Sequence, residues 1–175
     1  MREPVISNTS PVFYLHRLGL LDLLAKLYGE IIIPNAVLEE LEEGKKSGED
    51  VPDVRKIAWI KIRSISIPPA ITIIPDLGKG ESEALALALM EKQHLLIIDD
   101  ALAREIAGLQ SIRFTGTAGI LLKAKKNGFI NELKPVLYRL KDAGFYIRER
   151  LLFDLLKLSG EDFLGSSTKD RGLRD

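Results

Sequence analysis

The feature that most constrains the fold of this chain is a set of three short apolar runs with almost no polar interruption. They read VIS at Val5–Ser7, IIIP at Ile31–Pro34 and LLIID at Leu95–Asp99, and each is followed by a longer segment with helical apolar periodicity. A continuous apolar run is typical of a strand buried on both faces. Strands that alternate with helices in this way predict an α/β fold with a mostly parallel central sheet covered on both sides.

The composition limits the size, compartment and class of the protein. The 175 residues, 46% of them hydrophobic, can build one domain, predicted at residues 1–160, and the polar residues 161–175 are expected to form a flexible tail. The absence of cysteine excludes disulfides and thiolate metal sites and fits a cytoplasmic location. No apolar run reaches the ~18 residues that cross a membrane. Acidic and basic residues balance at 25 each, so net charge indicates no particular partner.

Polar residues follow three of the predicted strands. Asn8 follows the first, Asp99 and Asp100 follow LLII, and Thr115 and Thr117 follow the short run IRF. Ligands of open α/β sheets bind outside the carboxyl ends of the strands, so these side chains mark a candidate site. One aspartate of the pair can instead cap the helix that follows, which is a common structural role for a carboxylate. That alternative weighs more for Asp100 than for Asp99.

Each of three glutamates on two predicted helices is either a site residue or an ordinary polar residue of its helix. Glu81 and Glu83 begin the helix ESEALALALM, and at about 100° per residue they lie about 200° apart, so they cannot both face one small site. Either can instead complement the helix N-terminus. Glu40 lies on the edge of the apolar stripe of NAVLEELEEG and is more simply read as a solvated flank. Oxygen ligands without cysteine or suitably spaced histidine select hard cations, Mg²⁺ or Mn²⁺.

Five segments, in order, resemble PIN domains: VISNTSPVFYLHRLGLLDLL, IIIPNAVLEEL, LGKGESEALALA, LLIIDDALAREIA and FTGTAGILLKAKKNGFI. The chain is most similar to the VapC-like ribonucleases that carry a GT-G-LL-AK-G signature, over about residues 5–160. The resemblance implies a three-layer α/β/α fold and a cluster of acids that binds Mg²⁺ or Mn²⁺ and hydrolyses RNA phosphodiester bonds. It also implies a toxin–antitoxin setting, a homodimer and a small antitoxin partner.

The resemblance also assigns the site by position. The catalytic positions are Asn8, Glu40, Glu81 and Asp99, with Asp100 as a further metal ligand. Accessory candidates are Ser10, Glu83, Thr115 and Thr117. Candidates for RNA contact are Arg104, Lys79, Arg113 and Lys123, each of which is otherwise an ordinary solvated charge.

Asn8 departs from the general PIN pattern, which has an aspartate there. An amide offers a neutral oxygen in place of an anionic one, so a cation loses a unit charge among its ligands. Two readings follow: a ribonuclease in which the remaining acids suffice, or a catalytically degenerate PIN scaffold that binds RNA or a partner protein. A phospho-acceptor receiver domain fits poorly, because its acid pair follows the first strand and here the pair follows a late one.

Overall fold

The structure is a computed structural model that describes residues 3–67, 74–91 and 94–161. In that part, five strands form one all-parallel sheet in the order β3-β2-β1-β4-β5. The strands are β1 (Val5–Ser7), β2 (Ile31–Pro34), β3 (Ile60–Arg63), β4 (Leu95–Ile97) and β5 (Phe114–Thr115). The helices are α1 (Thr9–Arg17), α2 (Leu23–Tyr28), α3 (Asn35–Lys46), α4 (Lys79–Met90), α5 (Ala101–Leu109), α6 (Thr117–Lys126), α7 (Leu133–Asp142) and α8 (Glu149–Ser159).

The prediction of a parallel sheet in a three-layer α/β/α fold is confirmed. Every residue of β1 and β2 is buried, as the continuous apolar runs require. Ile6 of β1 lies between Ile32 of β2 and Leu96 of β4, so β1 is a central strand. The backbone N–H of Asn8 extends this pairing by donating to the carbonyl of Ile97 at 3.2 Å. The carboxyl ends of β1 and β4 therefore lie side by side.

Helix α4 brings its first turn to the same edge of the sheet. The helix packs against β1, β2 and β4 and against α3 and α5. From Ser82 to Ala88 every residue is buried, which explains why its sequence is apolar almost all round. Only its start is polar, so the acidic first turn is the part of α4 that can face a ligand.

Helix α3 is longer than the sequence predicts. The segment NAVLEELEEG closes on Gly44, and a glycine after the last apolar residue of a helical pattern predicts a stop there. The helix instead continues to Lys46, and the residue with positive φ is Gly48 at 87°. Lys45 and Lys46 occupy the last turn, where positive charge is favourable because of the helix dipole. The Gly44 signal was therefore wrong, since a glycine inside a helix costs only about 1 kcal/mol and does not by itself end it.

The chain divides into two compact units, Met1–Ile120 and Leu121–Asp175. In the second unit, the core contains Leu133 and Leu137 of α7 and Leu152 and Leu156 of α8. Glu161 accepts hydrogen bonds from the backbone N–H groups of Leu133 and Lys134, at 2.6 and 2.8 Å, and so caps α7. The rest of the predicted tail, 162–175, lies outside the described residues. None of the described helices is long and apolar enough to cross a membrane.

Candidate functional site

Asn8 lies at the centre of the site, at the end of β1 and just before α1. It is fully buried, and its Nδ2 donates a hydrogen bond to Glu81 Oε1 at 3.0 Å. Its Oδ1 has no hydrogen-bond partner in the described part of the chain. An aspartate here would set a buried carboxylate against the half-buried carboxylate of Glu81. The amide instead donates a hydrogen bond, which an ionised aspartate cannot do. It also leaves one oxygen unused.

Glu40 turns toward the sheet instead of the solvent. Its Oε2 accepts a hydrogen bond from the Thr9 hydroxyl at the start of α1, and its Oε1 accepts one from the backbone N–H of Gly80 at 2.8 Å. These contacts join α1, α3 and α4 at one point. The structure therefore brings Glu40 to the site, where the periodicity of α3 alone favoured a solvated flank.

The two glutamates of α4 have different partners. Glu81 faces Asn8, whereas Glu83 is buried on another side and its Oε2 accepts the backbone N–H of Ala36 at 2.8 Å. Ala36 is the second residue of α3, which has no side-chain cap of its own. Glu83 therefore caps α3 from a neighbouring helix.

Asp99 follows β4 and is the most heavily hydrogen-bonded acid of the site. Its Oδ1 accepts the backbone N–H of Thr117 at 2.7 Å, and its Oδ2 accepts the hydroxyls of Thr117 and Ser10 at 2.6 and 3.1 Å. The structure thus selects Thr117 over Thr115, whose hydroxyl lies against Gly119. The predicted accessory residue Ser10 also lies at the site.

Asp100 has the ordinary role that the sequence left open. It is exposed, it is the N-cap of α5, and its Oδ1 accepts the backbone N–H of Ala103 at 2.8 Å. Its negative charge nevertheless contributes to raising the pKa of Glu81. It is therefore an outer member of the acidic cluster.

Three glycines make room for the three inner carboxylates. A Cβ on Gly80 would lie 2.6 Å from Glu40 Oε2, and one on Gly116 would lie 2.7 Å from Asp99 Oδ1. A Cβ on Gly78 would overlap Glu81 Oε2. The carboxylates therefore occupy spaces that any other residue would fill, which accounts for glycine in the segments LGKGE and FTGT.

Burial disfavours the charged forms of two of these acids. Burial raises the pKa of Glu81, and the negative charges of Glu40 and Asp100 raise it further, against hydrogen bonds that include the one from Asn8. Burial also raises the pKa of Asp99, although the donors from Thr117 and Ser10 and the charge of Arg104 act in the opposite direction. A cation beside these two groups would stabilise their charged forms and so lower both pKa values.

The donor set fits a hard cation in its chemistry. Asn8 Oδ1 is a buried oxygen without a partner, and Glu81 lies beside it with its charge disfavoured. Across residues 3–67, 74–91 and 94–161, no three acidic or histidine side chains lie close enough to hold one ion as placed. The oxygens of Glu40 and Asp99 are instead bonded to hydroxyl and backbone donors. A carboxylate offers about four acceptor sites, so these donors orient the two acids and still leave acceptor sites for a metal.

The four predicted RNA contacts lie in different places. Arg104 on α5 lies beside Asp99, and Lys79 on α4 pairs with Glu39. Arg113 pairs with Glu3 and precedes β5, at the opposite ends of the strands from the acids. Lys123 belongs to the second compact unit. Only the first two are brought to the acidic edge within the first unit.

Thr9, Gly80 and Gly116 are not among the residues predicted from the sequence, although Thr9 and Gly80 donate to Glu40 and Gly116 leaves room for the Asp99 carboxylate. Thr9 had a signal, because it stands between Asn8 and Ser10 in NTS. The sequence signal for the two glycines is weaker: each is next to a predicted site residue, in GKGES or in FTGT. A backbone donor carries no mark in sequence, so the role of the Gly80 N–H was visible only in the structure.

The raised pKa values predict a loss of folding stability as pH rises in metal-free buffer. The folded state holds protons on Glu81 and Asp99 more tightly than the unfolded state, so folding is favoured where the acids are protonated. This contribution is complete below the ordinary values of 4.5 and 3.8 and is lost as pH rises through the raised folded values. Urea unfolding at several pH values measures it.

Glu81→Gln should flatten this dependence, because glutamine has no proton to bind. Glu43→Gln is the control, since Glu43 is an exposed glutamate of α3. The difference between each variant and the native chain separates Glu81 from all other titrating groups. Equal pH profiles for the two variants would contradict the assigned shift.

Comparison with known proteins agrees with this geometry. A family model described as a PIN domain matches residues 4–161. The searches of curated proteins and of solved structures found no match at the significance required. The matched range contains the whole acidic cluster and most of both compact units. With an α/β/α fold, a parallel sheet and acids at the carboxyl ends of its strands, the chain belongs to the PIN-domain family.

Proposed function

We propose that this protein is a Mg²⁺- or Mn²⁺-dependent ribonuclease that hydrolyses RNA phosphodiester bonds. PIN domains are generally nucleases, and the family match therefore supports a hydrolase of nucleic acid. The observation that carries the finer proposal is the gathering of Asn8, Glu40, Glu81 and Asp99 around the ends of β1 and β4. Such oxygen ligands suit these hard cations.

The metal would be held by Asn8 Oδ1 and by the carboxylates of Glu40, Glu81 and Asp99, with Asp100 as an outer acid. When bound, it would supply positive charge for the phosphate oxygens and lower the pKa of a bound water. The cluster without a cation repels RNA, because RNA and the acids are both anionic. Binding of the metal and binding of the substrate are therefore expected to be linked.

The chain's own donors orient these ligands. Thr9 and the Gly80 N–H fix both oxygens of Glu40, while Thr117 and Ser10 fix those of Asp99. Hydrogen bonds behind a ligand restrict its rotation and raise its affinity for the ion. Asn8 does the same for Glu81 and adds its own oxygen.

The biological setting is part of the proposal. The similarity to VapC-like proteins supports a toxin of a toxin–antitoxin pair that acts in the cytoplasm, forms a homodimer and is held inactive by a small antitoxin.

A balanced net charge gives no long-range attraction for RNA, so local cations near the acids must bind the substrate.

A second candidate function is a catalytically silent PIN scaffold that binds RNA or a partner protein. It is favoured by one observation: the described acids do not form a three-ligand group as placed, and the central residue is an amide engaged with Glu81. Metal binding separates the two candidates, because the scaffold does not need it.

The test is cleavage of labelled RNA with Mn²⁺ or with EDTA, using a matched pair of variants on one helix. Glu81→Gln removes a proposed ligand and should slow cleavage at least about a hundredfold. Glu83→Gln weakens the cap on α3, so it should lower the free energy of unfolding by about 1 kcal/mol and retain cleavage.

Three outcomes would count against the ribonuclease. Cleavage that persists in EDTA would exclude the metal dependence. Equal cleavage by Glu81→Gln and the native chain would remove Glu81 from the site. No cleavage by the native chain, together with Mn²⁺-independent RNA binding, would favour the scaffold.

A further inference from the structure

Arg104 is a cation beside Asp99, and its guanidinium is stacked on an aromatic ring and not paired with an acid in a salt bridge. Its guanidinium carbon lies 5.1 Å from the centroid of the Phe114 ring. The side chain is exposed, and within the described residues it makes no salt bridge. A guanidinium stacked on a ring keeps its in-plane N–H groups available for an anion.

The ring is itself fixed. Phe114 belongs to β5 and packs against the core cluster that contains Leu85, Leu96 and Ala107. Arg104 lies on α5 one turn after the N-cap Asp100. The guanidinium is therefore placed by the core and by the strand, and little side-chain entropy remains to be lost when it binds a ligand.

Gly116 places no side chain between this cation and Asp99. A Cβ at that residue would lie 2.7 Å from Asp99 Oδ1 and 3.8 Å from Arg104 Nη1. Asp99 and Arg104 therefore lie on the same side of the partly exposed Gly116, the side from which a side chain would project, and the Asp99 carboxylate fills the place nearest the glycine. A polymer backbone can approach here because no side chain projects from Gly116.

We propose that Arg104 and the bare backbone of Gly116 form a phosphate-binding position for the RNA strand beside Asp99. The proposal rests on the proposed ribonuclease function and names the part of the substrate that this side of the site holds. Arg104 donates in-plane N–H groups to phosphate oxygens, and Gly116 lets the sugar–phosphate backbone come close enough to receive them. Phe114 keeps the guanidinium in that orientation.

The other cations considered are less suited to this role. Lys79 is already paired with Glu39, and Arg113 with Glu3 at the far ends of the strands. Arg17 provides a matched comparison, since its guanidinium also stacks on a ring, 5.3 Å from the centroid of Phe13. Arg17 however pairs with Glu49 at 3.6 Å, so its charge is compensated.

The experiment measures binding of a fluorescently labelled single-stranded RNA by anisotropy at several salt concentrations, with Ca²⁺ in place of Mn²⁺. Arg104→Ala should raise the Kd about tenfold. It should also reduce the slope of log Kd against log salt by about 0.7, the loss of one phosphate contact on a single strand. Arg104→Lys should recover the salt slope and only part of the affinity, because lysine lacks the planar fork.

Arg17→Ala also removes a guanidinium that stacks on a phenylalanine ring. It should leave the Kd for RNA and the salt slope unchanged. Phe114→Leu tests the positioning role: it should weaken RNA binding less than Arg104→Ala and keep the salt slope, because the charge remains. Circular dichroism checks that each variant is folded.

The possible results separate this proposal from the ribonuclease. Equal effects of Arg104→Ala and Arg17→Ala, with cleavage intact in the native chain, would overturn the phosphate position alone. A salt slope that depends on Arg104, in a native chain that cleaves no RNA, would support the phosphate-binding position and contradict the proposed ribonuclease activity. No RNA binding by the native chain would overturn both.

Discussion

Replacement of Asp99 by alanine is expected to lower the free energy of unfolding by about 3 kcal/mol and to abolish RNA cleavage. The side chain accepts three hydrogen bonds, from the backbone and hydroxyl of Thr117 and from Ser10. Removing the acceptor leaves these donors unpaired in a largely buried place, at roughly 1–3 kcal/mol each, partly offset by removal of a desolvated carboxylate. It also removes one of the proposed metal ligands.

Urea unfolding in EDTA measures the first effect and cleavage of labelled RNA with Mn²⁺ the second. Asp100→Ala is the stability control, since it removes one acceptor, the cap on Ala103, and should cost about 1 kcal/mol. Asp142→Ala, at an exposed position at the end of α7, is the control for cleavage. An Asp99→Ala chain as stable as Asp100→Ala, with native cleavage, would show that Asp99 is not at the centre of the site.

The second large effect concerns Asn8. Asn8→Asp should destabilise the metal-free protein by about 2 kcal/mol or more, because a fully buried carboxylate would face Glu81 in place of the donor that now lies 3.0 Å from it. With Mn²⁺ the variant should instead be more stable than the native chain, since the added negative charge binds the cation directly. We expect Mn²⁺ to bind at least about tenfold more tightly and to raise the Tm of this variant more than that of the native chain.

Isothermal titration with Mn²⁺ and thermal unfolding with and without the ion measure these changes. Asn35→Asp is a matched control, because Asn35 also donates to a glutamate, Glu39, at 2.7 Å, but on the exposed surface. Solvent screening should hold its effect below about 1 kcal/mol, with no change in Mn²⁺ affinity. Unchanged Mn²⁺ binding in Asn8→Asp would mean that the acids do not assemble around an ion, and the scaffold would then be the better description.

The sequence identified the architecture because the physical signal for it is local. A strand buried on both faces must be apolar throughout, and VIS, IIIP and LLIID satisfy that requirement without reference to the rest of the chain. The same holds for the place of the site, since residues that follow parallel strands lie at one edge of a sheet. Asn8 and Asp99 were assigned to the candidate site in this way.

The choice between similar residues on a helix was not local. Periodicity showed that Glu81 and Glu83 point in different directions, but which one faces the site depends on how α4 packs against β1, β2, β4 and α3. Glu40 shows the same limit, because a place at the edge of an apolar stripe does not reveal that α1 and α4 cover that edge with donors. The family resemblance, and not the pattern, raised Glu40 and Glu81 to site residues.

The sequence by itself determined the parallel sheet and the edge at which the polar residues collect, and it left open whether Asp100 caps the next helix. Only the tertiary structure decided that Thr117 and not Thr115 binds Asp99, that Arg104 and not Arg113 adjoins the acids, and that the Asn8 amide donates to Glu81. The reason is that hydrophobic patterning reports burial, which each residue carries in its own chemistry. The partner of a polar group depends on residues distant in sequence, and their approach is set by packing of the whole unit.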